Sequence, residues 1–156
     1  MPAPIVQWWK GDNSEQLLSW DAGIVDADSY SATLGVLIWN NRGGAVVVSD
    51  MENAFITTKN TDGTDTGSVA TRTDAIVEVQ VWDGAAYPVW AEVGGSVTTL
   101  PLNDANGVAG RISGAINTGM LADKPNFAQV NLRLHVLPTA PAGLIQWKTR
   151  VSYQYV

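Results

Sequence analysis

The stretch "AQVNLRLHV" (residues 128–136) decides the fold class, because apolar and polar side chains alternate along it without interruption. Successive side chains of a β-strand point to opposite faces. One face therefore carries only apolar residues, and the other carries Gln129, Asn131, Arg133 and His135. This pattern predicts a strand with one face in a core and the other toward solvent.

Other stretches of the chain show the same alternation. Residues 145–155 ("IQWKTRVSYQY"), 32–39 ("ATLGVLIW") and 75–82 ("AIVEVQVW") predict three further strands. Turn sequences rich in Gly, Asn and Asp separate them. Residues 103–124 lack clean alternation, which leaves a long loop, a short helix or an irregular strand pair open. Shorter strand candidates are residues 5–9, 17–20, 45–48, 54–58, 89–93 and 96–99.

Many short strands with regular turns indicate an all-β protein, with one domain folded as an antiparallel β-sandwich or barrel-like structure. Residues 1–12 are spaced by prolines, so we interpret them as an extended N-terminal arm or an edge strand, and residues 13–156 as the β-sandwich domain. The strand ending in "WNNRGG" (residues 39–44) stops at residues that tolerate left-handed backbone angles. We interpret this turn as a hairpin or a sandwich corner, from which "AVVVSD" can return.

Composition narrows the function classes. The net charge is −6 and there is no cysteine, so disulfides, thiolate catalysis and cysteine metal sites are excluded. Binding around nucleic acid would require a basic surface. This chain is acidic, so we predict no nucleic-acid partner. No apolar run approaches the ~20 residues of a membrane span. The start "MPAPIVQWWKGD" has no basic region followed by an apolar one, so we expect no signal peptide and assembly in a cytoplasm.

No catalytic or metal-binding pattern stands out. The single histidine, His135, falls on the wet face of its strand rather than beside a nucleophile. Asp62 and Asp65 in "NTDGTDTG" lack the spacing of a calcium loop and are interpreted as turn residues. We therefore predict no enzyme activity, no cofactor and no metal. A hydrolase with two distant carboxylates stays open as an alternative, although no pair is picked out.

The seven tryptophans are the most unusual feature. Trp147 shares the inward face of its strand and is predicted to lie in the core. Trp39 and Trp82 stand at the ends of their strands, on the face opposite the valines of those strands. The adjacent pair Trp8 and Trp9 places one ring on each face of an extended segment. Exposed rings of this kind serve as interface anchors. The predicted protein-interface residues are Ile5, Trp8, Trp9, Trp39 and Trp82.

Two long stretches of the chain resemble a class of tailed-bacteriophage virion proteins. The first runs from "QWWKGDNSEQ" through "VLIWNNRGG", "VSDM" and "ITTK" to "NTDG" (residues 7–63), and that class has a solvent-facing "WNN-GG" turn at this place. The second is "LRLHVLPTAPAGLIQWKTRVSYQY" (residues 132–155). The resemblance covers both ends of the chain and about two-thirds of its length, with residues 70–125 outside it; the two quoted stretches themselves make up about half of the chain.

The resemblance implies a β-rich structural protein on the exterior of a phage capsid. It implies a decoration (auxiliary or cement) role, with the major capsid protein and further copies of the chain, as a homotrimer, as its partners. Deleting residues 1–10 is then expected to weaken oligomer or particle binding and leave the sandwich folded. The alternatives are a phage tail or baseplate module, and a carbohydrate-binding β-sandwich that uses tryptophans such as Trp39 and Trp82.

Overall fold

The alternating stretch forms the central strand of a six-stranded antiparallel sheet in the computed structural model, which describes residues 1–156. The ten strands, in chain order, are β1 (Val6–Lys10), β2 (Ser29–Tyr30), β3 (Leu34–Asn40), β4 (Met51–Lys59), β5 (Ala75–Val81), β6 (Ala91–Val93), β7 (Leu100–Pro101), β8 (Arg111–Ile112), β9 (Phe127–Val136) and β10 (Lys148–Gln154).

Two antiparallel sheets pack as a single domain. The first has the order β1-β3-β9-β5-β6, with β2 pairing to the end of β9; the second has the order β10-β4-β7, with β8 also pairing to β4. The predicted all-β, sandwich-like fold is confirmed, and the barrel alternative is wrong because no sheet closes on itself. The only helical element is a 3-10 turn at Lys124–Asn126, which is far too short to span a membrane.

The main core lies between the two sheets. The apolar face of β9 is buried as predicted, since Val130, Leu132, Leu134 and Val136 are all at most 8% exposed. The polar face is only half-buried rather than open, because the side chains of Tyr30, Tyr87 and Trp90 lie against it. Gln129 Nε2, for example, donates a hydrogen bond of 2.8 Å to Tyr87 Oη.

A second, smaller core covers the outer face of the first sheet. It contains Leu37, Trp39, Ala105 and Phe127, and the ring of Trp9 packs against it. Ala105 comes from the segment that lacked alternation, which consists of irregular loops with the short strand β8. Because this segment passes over the end of β3, the two faces of β3 both become core.

The "NNRGG" turn is a corner between the sheets. The chain leaves β3 in the first sheet and enters β4 in the second, and the predicted return strand at residues 45–48 does not form. Asn41 and Gly43 have φ angles of +60° and +66°. A Cβ atom on Gly44 would overlap the side-chain amide of Asn41, so Gly44 leaves room for that amide.

Asparagine side chains replace strand pairing at this corner. Asn40 and Asn41 are at most 4% exposed, so these two residues face the protein interior, whereas Gly43 at the tip of the turn is exposed. Asn40 Nδ2 donates to the carbonyl oxygens of Ser49 (3.0 Å) and Ile112 (3.2 Å). Asn126 Nδ2 donates to the carbonyl oxygen of Ser113 at 2.9 Å. Buried carbonyl groups need such partners, so these amides hold the turn to the loops beside it.

Replacing Asn40 by alanine is expected to lower the free energy of unfolding by about 1–3 kcal/mol, because two buried carbonyl oxygens lose their donor. The measurement is urea denaturation followed by tryptophan fluorescence. The control is Asn106→Ala, at an exposed asparagine whose side chain makes no hydrogen bond; it should change stability by less than about 0.5 kcal/mol. Equal effects in the two variants would contradict the proposed role of the buried amide.

The N-terminal segment is part of the sandwich from residue 6 onward. Strand β1 pairs with β3 over five residues, and it is the edge strand of its sheet. Ahead of it, Ile5 N donates to Asn40 Oδ1 at 3.0 Å, and Pro2 O accepts from Ser49 N at 2.8 Å. The expectation that the sandwich folds without residues 1–10 must therefore be revised.

Three of the shorter predicted strands do not form, namely those at residues 17–20, 45–48 and 96–99. At the first of these, Leu17 does make one backbone hydrogen bond to β1, from Leu17 N to Trp8 O at 2.8 Å. Beyond Leu17 the chain finds no neighbouring strand and leaves the edge of β1. Each stretch contains residues that favour strands, but a strand also needs a partner with free backbone groups.

Candidate functional site

A cleft of about 1240 Å³ lies against the main core, and 18 of its 29 lining residues are hydrophobic. Its floor is the inner face of the first sheet, including Trp8, Leu132 and Leu134. The first sheet has more strands than the second, in which β10 is the outermost strand. Beyond β10 two segments cover the inner face in place of strands.

These two segments form the walls of the cleft. We call residues 17–27 the acidic wall and residues 140–151 the basic wall. No backbone–backbone hydrogen bond forms within residues 18–28 or within residues 141–147. Segments without such bonds have low local stability. Side-chain packing therefore holds residues 18–28 and 141–147 in place, whereas residues 148–151 of the basic wall belong to β10 and pair with β4.

Tryptophan side chains join the walls to each other. The rings of Trp20 and Trp147 lie 5.3 Å apart at an interplanar angle of 89°. Both rings are half-buried and pack against the main core, as does Trp8. The prediction that Trp147 faces inward is thus confirmed. An edge-to-face pair of this kind does not present the flat platform on which a sugar ring stacks.

Large apolar side chains on both walls point away from the core. Leu18 is 89% exposed, Leu144 is 86% exposed and Ile24 is fully exposed. Single exposed apolar residues are ordinary, but several around one apolar cleft are typical of an interaction surface. The walls therefore offer apolar area that the isolated chain does not use.

The walls carry opposite charge. Residues 12–28 contain five acidic residues and no Lys or Arg, whereas residues 137–156 contain Lys148 and Arg150 and no acidic residue. Asp21 and Asp26 lie on the acidic wall, and Lys148 and Arg150 lie on the basic wall. None of these four side chains belongs to any of the six ion pairs in the molecule.

The predicted interface residues do not form one surface. Ile5 is half-exposed beside the edge strand, and Trp8 lies in the cleft. Trp9 packs on the second core beneath the Arg42 guanidinium, which lies 3.4 Å from its ring centroid. Trp82 is half-buried against Tyr87, 5.0 Å away between ring centroids.

The structure corrects the prediction that Trp39 is a protein-interface residue. Trp39 is fully buried in the second core, 4.6 Å from the ring of Phe127, and so offers no surface to a partner or to a glycan. Trp39 was assigned to the correct face of β3, but that face is covered by the second core. The "WW" pair likewise puts one ring on each face of β1, and both rings find cores within the same chain.

His135 lies in a cluster of aromatic and charged side chains on the outer face of the first sheet. Its ring stacks on that of Tyr30 at 4.3 Å and 15°. The Arg133 guanidinium lies 4.1 Å from the ring of Tyr30 and 4.2 Å from that of Trp90, and Arg133 Nε donates to Glu78 Oε1 at 2.6 Å. These groups stack on or pair with one another, an arrangement that stabilises the loop above β9.

Asp62 and Asp65 are turn residues, as predicted. The Thr64 hydroxyl and backbone N–H donate to Asp62 and lower its pKa. The Lys59 ammonium and Ser96 lower the pKa of Asp65 in the same way. Each carboxylate is thus committed to a local contact, and no three His, Cys, Asp or Glu side chains are grouped to hold a metal ion.

The sequence reasoning missed most of the cleft. Leu18 fell in a predicted strand that does not form, and Ile24 and Leu144 fall in stretches for which no structure was predicted. The available signal was charge, because the acidic and basic residues of these two stretches are fully segregated in the sequence. No protein-family model matches the chain, and no curated protein is significantly similar to it.

Proposed function

We propose that this chain is a structural protein that binds and stabilises the outer surface of a tailed-phage capsid, as a homotrimer and without catalysis. The observation that carries the proposal is the set of exposed apolar side chains around the cleft. The choice of a capsid as partner rests on the resemblance of residues 7–63 and 132–155 to phage virion proteins. These two stretches contribute the two walls of the cleft.

The molecule is suited to an assembly role in two further ways. Strands β6 and β10 are sheet edges, and an exposed edge can add a strand from a neighbouring protein. A trimer would present each such contact three times. Linked contacts raise the effective concentration of one another, so that individually weak contacts hold a shell together. The net charge of −6 would keep coated particles dispersed.

The direct test is co-sedimentation with purified expanded capsid shells that lack decoration. We expect saturable binding, with a fixed number of copies per particle that is a multiple of three. Shells should also withstand higher temperature before release of their contents. Isolated tail tubes from the same phage serve as the control.

Binding to tail tubes and not to shells would replace this proposal with the tail-module alternative. A protein that ignores both structures would overturn any virion role. The glycan alternative lacks support at the tryptophans named for it, because Trp39 is fully buried and Trp82 packs on Tyr87.

A further inference from the structure

The two walls of the cleft are complementary to each other but do not pair within one chain. Asp21 and Asp26 on one wall are exposed, as are Lys148 and Arg150 on the other. Both walls also leave large apolar side chains in water. A surface that carries separated positive and negative walls beside apolar residues is complementary to a second copy of itself.

We propose that a second copy of this chain docks at the cleft, with the acidic wall of one copy against the basic wall of the other. The contact would cover Leu18, Ile24 and Leu144 and would place Asp21 and Asp26 near the partner's Lys148 and Arg150. Repeated with cyclic symmetry, it closes a ring. This inference rests on the proposed self-association and identifies the surface responsible for it.

The backbone around the cleft supports such a contact. Strand β10 pairs with β4 on one side only, so its other edge has free N–H and C=O groups. Residues 18–28 likewise have backbone groups without backbone partners. An acidic wall laid along the edge of β10 in another copy would satisfy both sets. Lys148 and Arg150, which lie on β10, would favour an acidic segment over a neutral one.

The test is a charge exchange followed by light scattering. We expect the wild-type protein to form oligomers in solution at micromolar concentration. Asp21→Lys with Asp26→Lys, and separately Lys148→Glu with Arg150→Glu, should each weaken association by about tenfold or more, because like charges then face each other. The protein with all four changes should associate to within about threefold of wild type, since every contact again joins opposite charges.

A second variant tests the apolar part of the same contact. Ile24→Ser should weaken association by about tenfold, because burial of a large aliphatic side chain is lost. The control is Val97→Ser, at a valine that is 93% exposed and lies outside the cleft, and it should leave association unchanged. Circular dichroism and thermal melting would show that all variants fold. Since these side chains are exposed, no large change in melting temperature is expected.

Failure of this inference and failure of the proposed function can be told apart. A wild-type protein that stays monomeric at high concentration, or reversals that leave association unchanged or are not rescued by the combined exchange, would overturn docking at the cleft. Saturable binding of that protein to capsid shells would keep the proposed function. An oligomer that follows the charge exchange but ignores shells would keep this inference and remove the capsid role.

Discussion

A chain that begins at Gly11 is expected to lose its cooperative unfolding transition at room temperature. Deletion of residues 1–10 removes the whole of β1, and with it Trp8 from the main core and Trp9 from the second core. Burial of one large apolar side chain contributes about 1.5–3 kcal/mol. Val6, Trp8 and Trp9 are each partly buried, so their loss together with the backbone pairing of β1 and β3 removes a large share of the about 5–15 kcal/mol that stabilises an ordinary domain.

The measurement is thermal and urea unfolding by circular dichroism, with deletion of residues 1–3 as the control. That shorter deletion leaves β1 intact and removes one backbone hydrogen bond, from Ser49 N to Pro2 O. It should therefore lower the free energy of unfolding by about 1 kcal/mol. If the chain from Gly11 melts cooperatively near the wild-type temperature, β1 is dispensable. Residues 1–10 would then behave as the extended N-terminal arm, which was one of the two interpretations of the sequence.

Trp39→Ala is expected to lower the free energy of unfolding by about 3–5 kcal/mol, the usual cost of deleting a fully buried aromatic side chain. The ring fills the second core between Leu37, Ala105 and Phe127. That core is small, so its remaining members cannot close the cavity by repacking. Chemical denaturation with an unchanged m-value would report the loss as a change in stability alone.

Two matched variants define the cause. Trp39→Phe should cost clearly less than Trp39→Ala, because an aromatic ring remains and the buried indole Nε1 has no hydrogen-bond partner to lose. Trp82→Ala should also cost less, since Trp82 is only half-buried. If Trp82→Ala lowered the free energy of unfolding as much as Trp39→Ala, burial in the second core would not explain the effect of Trp39→Ala.

The strands were predictable because their signal is local. Side chains alternate along a strand by backbone geometry alone, so β9, β5, β3 and β4 could be located from residue order, with ends shifted by a few residues. The same geometry correctly placed Trp8 and Trp9 on opposite faces of β1. The turns with Asn, Asp and Gly were predictable for the same reason, as at Asp62.

The exposure of each face was not predictable in this way. Trp39 was assigned to the correct face of its strand and then to a protein interface, yet residues 103–126 pass over that face and bury it. The buried amides of Asn40 and Asn126 were missed for a related reason. Asn40 donates to the carbonyl group of Ile112 in β8, 72 positions away, and Asn126 to that of Ser113, 13 positions away; no local pattern reports such pairing.

The sequence by itself determined an all-β fold, with a sandwich or a barrel left open, the positions of its longer strands and the absence of cysteine chemistry, since each depends on residue type or on a period of two. Only the tertiary structure decided that β1 is an edge strand rather than an arm, that Trp39 lies in a core, and that residues 17–27 and 140–151 face each other across one cleft. Those outcomes depend on which distant segments meet. Contacts between residues more than a hundred positions apart are set by the packing of the whole chain.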